Sequence, residues 1–299
     1  MAMRLDDLDP SENVRDLGSG SGGGGFGGGG NILLGLLPML LGSRMGCGTI
    51  ALIGIAVAAF MAFGGGGGLL TGGGAPSSSG PQVSQSKACD TPEELQACRV
   101  MTSTEQTWTT LFKAQGEQYP APILNFYQGG VQSGCGSATA AAGPFYCPAD
   151  RGVYLDTSFF KELSSRFGAV GDFAQHYVIA HEVGHHIQNV SGTMERVRQD
   201  QRQMSQAEGN ALSVRVELQA DCYAGVWAAR NKDRLEAGDI EEGMRAANAI
   251  GDDTLQKQAQ GTIVPESFTH GTSAQRQKWL RRGLETGDPA QCDTFSGAI

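Results

Sequence analysis

The chain has 299 residues, with 22 Lys+Arg against 31 Asp+Glu, a net charge of −9 and a pI near 5.0. It offers no basic stripe to neutralise phosphates, which excludes a general nucleic-acid binder. Glycine is uneven: 24 of the 45 fall in residues 1–86, which cannot form a core, whereas residues 87–299 have an ordinary globular composition and enough length for one.

Residues 1–31 read as a disordered tail, polar at first and then almost pure glycine and serine over Gly18–Gly30. Residues 32–64 read as an apolar membrane anchor. Ile32–Leu41 is short and holds Pro38, while Cys47–Phe63 carries no charge and spans about 25 Å as a helix, so a transmembrane helix is expected at about 47–63. The alternatives are a buried core helix and a cleaved leader. Arg4, Arg15 and Arg44 precede this span and no basic residue follows until Lys87. The positive-inside rule therefore favours a cytoplasmic N-terminus and a single-pass protein with its C-terminal domain outside the cytoplasm. Residues 65–86 read as an uncharged flexible linker, and residues 87–299 as the folded domain.

Six of the seven cysteines follow the anchor and none forms a CxxC pair, so up to three disulfides are expected in an oxidising compartment. Six cysteines allow about 15 pairings. Proximity favours Cys89–Cys98 and Cys135–Cys147, which leaves Cys222–Cys292 by elimination.

In the domain, Pro92–Ala114 has helical spacing behind a good N-terminus, Asp90-Thr91-Pro92-Glu93. Ala121–Tyr127 looks extended. Pro144–Cys147 and Gly152–Asp156 flank a turn and predict a β-hairpin. Helices are then expected over Thr157–Phe167, from Asp172 as cap to about Asn189, over Ser205–Asn231, from Asp239 to about Ile250, and from Thr272 or Ser273 to near Gly287. The fold class is α+β, mostly helical with a small sheet.

Within the helix expected from Asp172, His181-Glu182-Val183-Gly184-His185 forms an HExxH motif. Four residues make just over one turn, so both histidines share a face and can reach one metal ion, with Glu182 beside its open position as a base. A third ligand is needed. Glu217 and Asp221 stand four apart on an otherwise apolar helix, where unpaired charge is costly. Glu217 is assigned as third ligand to one catalytic Zn²⁺, and Asp221 as the acceptor that orients a ligand histidine, favouring His181. His176 and His186 project elsewhere and read as packing groups. Tyr177 shares the face of His181, and core packing is favoured for it over a catalytic role.

HExxH followed by ExxxD resembles the gluzincin pattern. Taken with Phe145-Tyr146-Cys147-Pro148-Ala149-Asp150 and Val153-Tyr154-Leu155-Asp156, the motifs resemble the bacterial neutral zinc metallopeptidase family of the YpfJ type, over roughly residues 87–295. The resemblance implies a zincin-like domain and a peptidase activity. His270 and Arg276, six residues apart, are similar to an element of the CAAX prenyl endopeptidases, although Gly271 stands where proline is usual. That resemblance implies His270 as a catalytic group facing the oxyanion and Arg276 as a brace for the acidic support. The expected partner is a protein or peptide substrate, with Gly152–Asp156 as an exposed edge that pairs with it. The competing reading is a zinc-containing binding or scaffold module without turnover.

Overall fold

The computed structural model describes residues 3–19, 88–165 and 167–299. The expected anchor and linker lie outside the described residues. Among the described residues, no helix is long and apolar enough to cross a membrane.

The fold is mostly helical with a small mixed sheet. Its strands are β1 (Val14–Ser19), β2 (Ile123–Gln128), β5 (Phe145–Cys147) and β6 (Gly152–Leu155), in the spatial order β1–β2–β6–β5. β1 and β2 run parallel, as do β2 and β6, and β5 returns antiparallel to β6. The β5–β6 hairpin turns through Arg151, which adopts a left-handed φ of 56°. The Asp150 carboxylate holds that turn by accepting the Gly152 N–H at 3.0 Å and the Tyr154 hydroxyl at 2.6 Å. A separate hairpin, β3 (Gly130–Ser133) with β4 (Gly136–Thr139), is stapled to β5 by the Cys135–Cys147 disulfide. The other two bridges are Cys89–Cys98 and Cys222–Cys292, so all three favoured pairings are present.

Two sequence expectations change here. The first concerns residues 3–19, expected to lie in a disordered tail. They fold onto the domain, with β1 pairing to β2 and Met3, Leu5 and Val14 buried in the core. Burying each such side chain contributes about 1.5–3 kcal/mol. The second concerns Gly152–Leu155, expected as an exposed edge. β6 lies between β2 and β5 and all four of its residues are buried, so it has no free side for a substrate.

Helices supply the rest. α1 (Pro92–Ala114) starts on a Thr91/Glu94 capping box with Pro92 in its first turn, and buries Ala97, Val100, Met101, Trp108 and Leu111 at helical spacing. α2 is Ser158–Ser165. α3 (Asp172–Val190) begins one residue earlier than a cap at Asp172 would give: Gly171 is the N-cap, and Asp172 sits in the first turn, facing the positive end of the helix dipole. α4 (Thr193–Gln201) and α7 (Asp252–Gln260) have no counterpart in the sequence reading. α5 (Gln206–Arg230) and α8 (Ser273–Thr286) both open on capping boxes, and α6 spans Asp239–Ala249.

Three of these helices form the frame that carries the HExxH motif. α5 and α8 touch backbone to backbone: a Cβ on Gly283 would lie 2.0 Å from the Cys222 carbonyl oxygen, and one on Gly225 would lie 2.2 Å from that of Leu280. α3 crosses α5 at Gly184, inside the motif, where a Cβ would meet the Ala220 carbonyl oxygen at 2.9 Å. This close crossing sets the Glu217–Asp221 face of α5 against the histidine face of α3.

Candidate metal centre

The two faces meet at one point. The nearest ligand atoms of His181, His185 and Glu217 all lie within 4.8 Å of one another, and all three residues are buried or nearly so. His181 Nε2 is 3.2 Å from Glu217 Oε2, and His185 Nε2 is 3.5 Å from Glu217 Oε1.

The other nitrogen of each ring is already committed. His181 Nδ1 is 2.8 Å from Asp221 Oδ1, an oxygen that can only accept from it. His185 Nδ1 is 2.9 Å from the Gln188 side-chain oxygen. Each Nδ1 therefore carries a proton when the ring is neutral, and each Nε2 presents a lone pair. Two lone pairs aimed at a carboxylate repel unless a cation, either a proton on a ring nitrogen or a metal ion, sits between them. Two imidazoles and one carboxylate with outer hydrogen-bond partners form a donor set that fits Zn²⁺ with a fourth position free.

The supports are built from neighbouring helices. Asp221 is fully buried and accepts from Arg276 Nε and a terminal Arg276 nitrogen, each at 2.9 Å, and from the Tyr177 hydroxyl at 2.6 Å. Arg276 also donates to the Tyr177 oxygen at 3.2 Å. Burial works to raise the Asp221 pKa, yet the charges of Arg276 and His181 hold it at about 2. Burial works against a charge on His181, but the Asp221 carboxylate outweighs it and lifts the imidazole to about 9. A metal ion must displace that proton, so metal binding at this site is coupled to proton release.

On the second histidine, Gln188 also donates to the Val216 carbonyl at 2.7 Å and to Gln219 at 3.1 Å. Gln219 in turn donates to the Cys292 carbonyl at 2.9 Å, beside the Cys222–Cys292 bridge. Glu182 is buried beside the triad. Burial raises its pKa, and the nearby His185 and His181 charges temper the rise.

His270 is not among the three converging donors. It sits ahead of α8, held by Asp252 at the start of α7. One Asp252 oxygen accepts the backbone N–H groups of Thr269, His270 and Gly271 at 2.8, 2.7 and 3.0 Å, and the other is 3.3 Å from His270 Nδ1. Burial disfavours the His270 imidazolium, but Glu217 and Asp252 raise its pKa overall. His176 and His186 are buried structural groups, with His186 between Tyr146 and the Pro120 carbonyl. Gln188, Gln219 and Asp252 went unremarked in the sequence, and Tyr177 was read as packing. Only Gln188, three residues beyond His185 on the same helix, carried a spacing signal that could have drawn attention.

This geometry can be set beside known proteins. The sequence matches the family described as "Putative neutral zinc metallopeptidase" over residues 3–295. The chain belongs to this family. It is 52% identical over 221 residues to the uncharacterized protein YpfJ of Escherichia coli K12, covering 72% of this chain and 77% of that protein. It is 44% identical over 218 residues to the uncharacterized protein Rv2575 of Mycobacterium tuberculosis H37Rv, covering 67% of this chain and 71% of that protein. No solved structure matches the chain.

Proposed function

We propose that the protein is a zinc-dependent peptidase acting on proteins or peptides, with His181 Nε2, His185 Nε2 and a Glu217 oxygen holding one zinc ion. The observation that carries this reading is the convergence of those three donors beside a buried acid, Glu182. Family membership supports it. A zinc ion held there supplies Lewis acidity, which lowers the pKa of water to about 7 and polarises a carbonyl.

The chain's own residues do the rest. Glu182, with its pKa raised by burial, takes the proton from the attacking water and returns it to the leaving amine. Asp221 fixes the His181 ring and Gln188 fixes the His185 ring, so both Nε2 atoms point inward. Arg276 and Tyr177 hold Asp221 in its charged form. His270, aimed by Asp252 and favoured as a cation by Glu217, stabilises the oxyanion of the tetrahedral intermediate. With β6 covered on both sides, β5 is the strand of that hairpin with no described neighbour on its outer side, and it is the edge an extended peptide can pair with. Three disulfides support a location outside the cytoplasm.

The test is Glu182→Gln, which keeps size and hydrogen bonding but removes the base. Zinc content should be unchanged while casein or peptide hydrolysis falls about 10²–10⁴-fold. Undiminished hydrolysis in this variant would remove Glu182 from the mechanism.

A further inference from the structure

We propose that residues 3–19 and the domain of residues 88–299 lie in the same compartment, on one side of any membrane.

Three independent kinds of contact tie the N-terminal segment to the domain. Backbone pairing sets Val14 against Leu124, Arg15 against Asn125 and Asp16 against Phe126, and the Leu124 N–H donates to the Asn13 carbonyl at 2.9 Å. Apolar burial places Met3, Leu5 and Val14 in the same core as Trp108 and Phe126. Polar contacts close the rim. Asp6 pairs with Arg99 at 2.7 Å, Asp7 accepts from Arg234 at 3.1 Å, and Glu105 accepts from Ser11 and Asn13 at 2.7 and 3.0 Å. The Arg4 N–H donates to the Arg234 carbonyl at 2.8 Å, and the Arg234 guanidinium donates to the Arg4 carbonyl at 3.0 Å.

A single crossing at 47–63 would put a hydrocarbon layer of about 30 Å between β1 and β2. Paired strands lie about 4.8 Å apart. The two arrangements exclude each other. This holds whether β1 pairs within one chain or with a second copy, because either way it needs β2 on its own side. A chain that leaves and returns to one side crosses an even number of times or turns back within the lipid. The three disulfides place the shared compartment on the oxidising side.

The test uses the full-length chain with Cys47→Ser, which removes the one cysteine outside the three bridges. Leu17→Cys on β1 and Val170→Cys in the domain, both at exposed positions, are introduced separately and treated with a membrane-impermeant maleimide on intact cells. Both positions should label to the same extent before permeabilisation. Labelling of Val170→Cys with protection of Leu17→Cys would overturn the proposal, and protection of both would overturn the placement on the oxidising side. Hydrogen exchange on the purified full-length chain without these substitutions guards against a disturbed strand. Those amides of residues 14–18 that face β2 should exchange slowly, and exchange of all of them at the rate of an unfolded peptide would also overturn the proposal.

Discussion

Gln188 and Asp221 do the same work for different histidines, each occupying Nδ1 so that Nε2 faces the metal position. Their losses should differ in kind. Gln188→Leu removes a neutral acceptor, so zinc affinity measured by chelator competition should fall about 10–100-fold with the fold intact. Unchanged affinity would show that the His185 ring needs no partner. Asp221→Ala leaves Arg276 buried without its counter-charge, and should destabilise the protein by about 3–5 kcal/mol in urea unfolding. A loss under 1 kcal/mol would mean that Arg276 finds another partner. At this scale the sequence was informative where chemistry has a fixed spacing. His181, Glu182 and His185 declare themselves by one helical turn, and Glu217 and Asp221 by another. Asp252 did not, because a carboxylate near a helix end has many ordinary uses.

Between elements, the site depends on how closely α3 approaches α5. Gly184 permits that approach, since even a methyl group there presses on the backbone of Ala220. Gly184→Val should push the helices apart, separate Glu217 from the histidines and lower turnover about 10–100-fold, with a lower Tm. Wild-type activity would show that the crossing tolerates a wider spacing. Most helices were legible because their caps and apolar faces agree, as with the Thr91/Glu94 box and the buried face of α1. α7 was not, because none of its residues is buried and its polar sequence, with Leu255 its one large apolar residue, shows no apolar face. β1 was hidden for another reason. Its partner strand lies more than a hundred residues away, and the residues that follow it are glycine and serine. The covered position of β6 could not be read either, because an alternating strand of four residues does not declare how many neighbours it has.

For the whole molecule, two buried histidines set the acid response. Burial holds His176 at a pKa of about 3 and His186 at about 4, both below the ordinary value for an unfolded chain. The unfolded state therefore binds more protons, and stability must fall as pH drops below about 6.5. At pH 4.5 each histidine should cost about 2–3 kcal/mol. In the zinc-free protein His181 shifts the other way, and its contribution is already complete below about 6.5, so it does not mask the decline. Urea unfolding of the zinc-free protein from pH 7 to 4.5 should show this loss, with His176→Leu reducing the slope by about half. A pH-independent midpoint would mean that these rings are solvated. Domain-scale composition was legible in the glycine distribution, but the inclusion of residues 3–19 in the fold was not.

The central claim is that His181, His185 and Glu217 together hold one zinc ion. Elemental analysis of the purified full-length protein after exhaustive dialysis tests it most directly. Wild type and Glu182→Gln should each retain one zinc ion per chain, and Glu217→Ala should lose most of it. A zinc-free wild type, or full zinc retention by Glu217→Ala, would contradict the assignment.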